Sequence, residues 1–152
     1  MLHSYTRIFV HLIWGTKNRQ KFLTKPLRPS IEGHFITYAR DNQIMVDTLG
    51  VQPEHVHLLL MLRSNQTVEN VVKLLKGESS HWINSENLIR PKFSWQRGYG
   101  AFSVSPSKVD QVRAYIKNQD EHHRIKSFSE EYGGFLRSVG FTQAETDESV
   151  SK

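Results

Sequence analysis

Residues 44–62 read IMVDTLGVQPEHVHLLLML. Two apolar runs rich in β-branched residues flank Gln52-Pro53-Glu54, a turn-forming tripeptide. The pattern predicts two strands, residues 44–51 and 55–62, joined as a hairpin. Upstream, residues 7–14 (RIFVHLIW) contain neither Gly nor Pro and read as a strand buried on at least one face. Residues 15–25 are basic and polar, a loop. Residues 26–42 place Leu27, Ile31, Phe35, Ile36 and Ala39 at helical spacing, with Pro26 near the start. Downstream, residues 67–84 predict a second helix with Val68, Val71, Val72, Leu75 and Trp82 on its buried stripe and Thr67 or Asn65 as its cap. Residues 93–95 and 99–104 read as short strand pieces, and residues 107–126 as a third helix.

The order strand, helix, strand, strand, helix, strand is that of the split βαβ arrangement. The expected fold is therefore α+β: a ferredoxin-like, RRM-like antiparallel sheet with helices on one face and an appended C-terminal helix. The other face is expected to stand open, and the apolar strand 7–14 to offer an edge for pairing with a second chain.

With 152 residues, the chain has room for one compact domain and a tail. Residues 1–141 are taken as the domain. Residues 142–152, rich in Thr, Glu, Asp and Ser, have too little apolar surface to order themselves. That segment carries Glu145, Asp147 and Glu148 against Lys152, so the net charge of +5 rises to +7 for the body. A basic body suits a polyanion such as nucleic acid. There is no Cys, which excludes a thiol nucleophile, a disulfide scaffold and a Cys-based zinc finger. No apolar run is long enough for a bilayer span, and a cytoplasmic protein working with DNA is expected.

The sharpest chemical signal is His55-Val56-His57. Residues two apart in a strand leave the same face, so both imidazoles project together while Val56, Leu58, Leu60 and Leu62 face the helices. Two neighbouring imidazoles can hold a divalent metal, although ordinary half-buried histidines show the same spacing. A working site needs a third ligand. The predicted third helix offers Tyr115 and Gln119, an i, i+4 pair, followed by His122 and His123.

Pro53-Glu54-His55-Val56-His57-Leu58-Leu59, followed by Ala114-Tyr115-Ile116-Lys117-Asn118-Gln119, resembles the single-tyrosine HUH transposases of the insertion-sequence-200/605 group. Further matches are Val72-Lys73-Leu74-Leu75-Lys76-Gly77 with Ser79-Ser80, and the run from Trp95 through Gln96-Arg97-Gly98-Tyr99-Gly100 to Ala101-Phe102-Ser103-Val104-Ser105. The resemblance spans about residues 5–135. It implies a small, usually homodimeric enzyme that recognises hairpins in single-stranded DNA at the ends of a mobile element. It further implies Tyr115 as a nucleophile leaving a 5′-phosphotyrosine and a free 3′-OH. Mg²⁺ or Mn²⁺ would be held by His55, His57 and a polar residue of the tyrosine helix, Gln119, with His122 as the runner-up. Glu54 stands where the family often has Asp. The family also suggests that Tyr115 of one chain serves the histidines of the other; docking within one chain is the alternative.

Other features agree with this chemistry. The sequence has no Gly-x-x-x-x-Gly-Lys-Ser/Thr loop and so no sign of a nucleotide cofactor, and it lacks the clustered acids of a two-metal nuclease. Candidate DNA-backbone contacts are Lys17, Arg19, Lys21, Lys73, Lys76, Arg90, Lys92 and Arg97. Trp14, Trp95 and Tyr99 are candidates for stacking on unpaired bases, or for the core. Two other readings compete: a non-catalytic single-stranded nucleic-acid-binding module of RRM-like fold, and a host-co-opted relative acting on chromosomal repeats.

Overall fold

Residues 3–142 and 145 are described by a computed structural model. Its strands β1 (Ile8–Gly15), β2 (Met45–Val51), β3 (His55–Leu62) and β4 (Gly100–Val104) form one antiparallel sheet of order β2-β3-β1-β4. Helices α1 (Arg28–Asp41) and α2 (Val68–Ser85) provide the crossovers, so the split βαβ fold is present as expected. Thr67 caps α2: its side chain accepts from the Asn70 amide at 3.1 Å.

The central strands read as near-continuous apolar runs because both of their faces are covered. One face of the sheet, with Val10, Leu12, Trp14, Val56, Leu58 and Leu60, packs against Ile31, Phe35 and Ala39 of α1 and Val71, Val72, Leu75 and Ile83 of α2. Each fully buried side chain of this size contributes about 1.5–3 kcal/mol of transfer free energy. Trp95 closes the core against Trp14, Phe35 and Phe93, and its indole N–H donates to Ser79 Oγ at 2.9 Å.

Several expectations change. Strand β1 lies inside the sheet, paired on both sides, so it offers no edge; β2 and β4 are the edges. Residues 93–95 form no strand, only a bridge from Trp95 to Thr16. The second sheet face is not open throughout, because helix α3 (Val109–Lys117) packs on it over β2 and β3. The predicted helix 107–126 ends at Lys117 and restarts after Asn118 as α4 (Gln119–Ile125). The polar, Gly-bearing segment beyond it forms α5 (Phe128–Ser138), started by Ser127 accepting from the Glu130 amide.

The chain falls into two compact units, the second beginning at Asn118. In the second unit, α5 stacks Phe128 on Tyr132 at 5.5 Å between ring centres. Of the expected polar tail, only Thr142 and Glu145 fall within the described residues. No helix among the described residues is long and apolar enough to cross a membrane.

Within the first unit, α3 is seated by shape and by charge. Leu59, Val109 and Ile116 form a small apolar cluster with Phe9, Val104, Val112 and Tyr115. Ile116 rests directly over Gly50, where a Cβ would come within 2.9 Å of Ile116 Cγ2 and 3.1 Å of its carbonyl oxygen. The Arg113 guanidinium grips the Asp47 carboxylate and holds it below the usual carboxylate range. Gly50→Val is expected to lift α3 off the sheet and lower stability by about 1–3 kcal/mol. Chemical denaturation checks the size of this effect, and unchanged stability would contradict the close seating.

Candidate active site

Strand β3 delivers His55 and His57 to the face on which α3 sits. Both are fully buried, with ring centres 4.9 Å apart. Each ring is held through Nδ1. His55 Nδ1 meets Glu54 Oε1 at 2.7 Å, and Glu54 is itself tied down, its carbonyl oxygen accepting from the Thr16 amide at 2.8 Å. His57 Nδ1 meets Nε2 of His11 at 2.9 Å, the two rings stacked with centres 5.1 Å apart. His11 comes from β1, opposite Leu59. A histidine whose Nδ1 is fixed by a carboxylate or a second ring presents Nε2 as its ligand atom, in a set orientation. Paired imidazoles with such outer partners are the donor chemistry of a divalent-metal site, and these residues fit one.

Tyr115 is brought to the same place. Its half-buried ring stands edge-on to His57 at 5.6 Å and to His11 at 6.2 Å between centres. In the single chain, the tyrosine thus lies beside the histidines of that same chain. The physical reason is the seat of α3: Ile116 over Gly50 and Arg113 on Asp47 bind the helix to its own β2.

Gln119 opens α4 and is buried; its Oε1 accepts from His123 Nε2 at 3.1 Å. His123 also pairs with Glu131 Oε2 at 2.5 Å. Two readings change as a result. Tyr115 and Gln119 do not share one continuous helix, since the helical run breaks at Asn118. Within the second unit the histidine beside Gln119 is His123, whereas His122 is exposed. His11 and the orienting role of Glu54 are not among the residues that the sequence singles out, whereas His123 is named there beside His122. His11 shared a face with Phe9 and Ile13 by simple alternation, but its approach to His57 depends on the β1–β3 register.

The basic residues divide. Lys17, Lys21, Lys73, Arg90, Lys92 and Arg97 are exposed and Arg19 is partly so. Lys76 belongs elsewhere: it is half-buried and its ammonium donates to the carbonyl oxygens of Gln96 at 2.7 Å and Gly98 at 2.9 Å. Burial lowers its pKa. It fastens the 96–98 loop to α2, its ammonium already shared by two backbone acceptors. Trp14 and Trp95 are core residues, which leaves exposed Tyr99 as the stacking candidate.

Residues 4–119 match the family model for IS200-like transposases, a stretch that includes His11, His55, His57, Tyr115 and Gln119. The chain belongs to the IS200-like transposase family. This transposase is 30% identical over 116 residues to the ISDra2 transposase TnpA of Deinococcus radiodurans, a match covering 73% of this chain and 83% of that one. Among solved structures it resembles a candidate transposase of Deinococcus radiodurans R1 with a TM-score of 0.63 and 30% identity, covering 78% of this chain and 95% of the other. It also shares its fold with a REP-associated tyrosine transposase bound to a REP hairpin, with a TM-score of 0.61 and 16% identity, covering 86% and 78%.

Lys76→Ala is expected to destabilise the transposase by about 1–3 kcal/mol, because the Gln96 and Gly98 carbonyl groups lose a charged donor. Lys73→Ala, at an exposed position on the same helix, is expected to leave stability unchanged. Thermal melts of the two variants side by side make the comparison, and equal melting points would return Lys76 to the surface charges.

Proposed function

We propose that this transposase cleaves and rejoins single-stranded DNA by transesterification through Tyr115. The observation that carries the reading is the gathering of half-buried Tyr115 with buried His57 and His11 in one cluster, beside His55. The Tyr115 hydroxyl attacks a backbone phosphorus and the bond to the 3′ oxygen breaks. The phenol gives up its proton and the departing 3′ oxygen takes one up. The products are a 5′-phosphotyrosine and a free 3′-OH. One phosphoester is exchanged for another, so rejoining needs no nucleotide cofactor.

His55 and His57, through Nε2, and Gln119, through its amide oxygen, are the proposed holders of Mg²⁺ or Mn²⁺. Such an ion, when bound, polarises the scissile phosphate and offsets the charge that builds on it. The chain's own part is orientation. Glu54 and His11 fix the two rings, and α3 sets the phenol beside them. An ordinary phenol, with a pKa of about 10, is a weak nucleophile at neutral pH, so placement and electrostatic help both count.

The exposed cations Lys17, Lys21, Lys73, Arg90, Lys92 and Arg97, with the partly exposed Arg19, are proposed to bind the DNA backbone. Hairpin DNA is the favoured substrate, supported by the fold shared with a transposase bound to a REP hairpin. Action at chromosomal repeats rather than at the ends of a mobile element would use the same chemistry. Residues 1–141 are proposed as the working domain, and the active site as one built within a single chain, whether or not the protein dimerises. A purely binding module is disfavoured, since α3 covers part of the sheet face such a module needs open.

Incubation with Mg²⁺ and single-stranded oligonucleotides tiled across the DNA flanking the coding sequence should give a denaturation-resistant protein–DNA adduct. Tyr115→Phe should abolish the adduct and leave binding intact; a surviving adduct would exclude Tyr115 as the nucleophile. His57→Ala should weaken Mn²⁺ binding steeply, and unchanged affinity would remove the histidines from the metal site. DNA binding should fall with salt and favour hairpins or single strands over blunt duplex. Mixing Tyr115→Phe with a His55→Ala, His57→Ala double variant should restore nothing. Recovered cleavage would mean sites shared between chains.

A further inference from the structure

We propose that Asp47 and Arg113 are positioning residues for Tyr115, a latch between edge strand and helix that sets where the phenol points; the inference rests on Tyr115 being the nucleophile. Strand β2 is irregular at one place. Val46 pairs with Leu60 and Thr48 with Leu59, so Asp47 is an extra residue in the ladder. A bulge interrupts pairing and re-aims a side chain. Here the re-aimed side chain meets α3.

The contact is geometrically demanding. Arg113 Nε donates to Asp47 Oδ1 at 2.8 Å and Nη2 to Oδ2 at 2.6 Å, a two-pronged grip. The third nitrogen, Nη1, donates to Asp110 Oδ1 at 2.8 Å, one helical turn earlier. Thr48 Oγ1 donates to Asp47 Oδ1 at 2.6 Å and steadies the carboxylate. Both ends are therefore braced, and a forked guanidinium–carboxylate pair tolerates little rotation. Ile116 over Gly50 limits how deep α3 sits. That contact alone leaves slide and roll open, and the ion pair closes both. The stakes follow from helix geometry. One residue of slip moves the backbone about 1.5 Å and turns Tyr115 by about 100° from His57.

Magnitude separates positioning from stability. The pair is partly open to solvent, with side chains 39% and 20% exposed, and ion pairs of that kind stabilise a fold little. A bidentate contact two residues from the nucleophile acts on geometry instead. Displacement of a reacting group by about 1 Å can cost on the order of 10²-fold in rate.

The experiment uses the full chain with Asp47→Asn, Arg113→Gln and the double variant, Arg113→Lys serving as the conservative change. Two readouts are taken. One is the set of NMR cross-peaks between the Tyr115 ring and the His57 ring without DNA. The other is adduct formation with the flanking oligonucleotides, measured alongside their binding affinity. Each single variant should keep its melting point and DNA affinity, lose or weaken the Tyr115–His57 cross-peaks, and form adduct on the order of 10²-fold more slowly. The double variant should lose no more than the singles, because the two residues act as one unit. Arg113→Lys should fall between.

Unchanged cross-peaks and adduct rates in Asp47→Asn would overturn the latch. So would a loss confined to Arg113→Gln and accompanied by weaker DNA binding, which would make Arg113 a DNA contact. If Arg113→Gln fails to fold, Asp47→Asn, nearly identical in size, decides alone. If wild-type protein forms no adduct with any oligonucleotide, the nucleophile reading fails, and the cross-peaks still decide whether the latch holds the ring.

Discussion

Alternation along β3 is the constraint on which the rest of this molecule depends. Successive residues of a strand must take opposite faces. Val56, Leu58 and Leu60 close the core against α1 and α2, while His55, His57 and Leu59 go to the side where α3 sits. A slip of one residue would push two imidazoles into hydrocarbon and put Val56 and Leu58 in their place. Hydrophobic burial therefore enforces the placement of the histidines. The same register carries His11 on β1 to within hydrogen-bonding distance of His57. Core and chemistry are two readings of one alternating pattern.

Helix α3 poses the opposite problem. It has nine residues, too few to be stable alone in water. Its order is borrowed from the sheet: the gap over Gly50 and the small apolar cluster around Leu59. Tyr115 is thus carried on an element whose existence depends on docking, and docking is also what brings the ring to His57.

Where local periodicity decides structure, the sequence was legible. Helices α1 and α2, the hairpin β2–β3, the shared face of His55 and His57, and the split βαβ order all follow from spacing within short windows. The misreadings have separate physical causes. Asn118, with φ −94° and ψ 18°, ends a helix by a small rotation, with no Pro or Gly to announce it. Helix α5 was obscured by Gly133-Gly134, although Ser127 and Glu130 mark its start and Phe128, Tyr132, Phe135 and Leu136 keep helical spacing. The central position of β1 is a matter of strand order, which local pattern does not encode. His11 needed the register of a distant pair. Lys76 looks like any helix-surface lysine until the 96–98 carbonyl groups appear above it. Within the candidate site, the residues tied to a motif were readable, and their supporting partners depended on tertiary contact.

The loops beside β1 and β4 are joined before any ligand arrives. The Lys17 amide donates to the Ser94 carbonyl oxygen, the Gln96 amide to that of Gly15, and the Asn18 amide to Gln96 Oε1. Asn18 and Arg19 adopt positive φ values of 56° and 53°, backbone geometry that these cross-links hold in place. Lys76 adds a charged fastening from beneath. A free loop that grips a polyanion must surrender conformational entropy as it does so, and that loss is subtracted from affinity. Here the surrender is completed during folding. The cations Lys17, Arg19 and Arg97 are mounted on a backbone already fixed, so under the proposed function a phosphate chain laid across them would meet a rigid template rather than a pair of tails that must first be ordered.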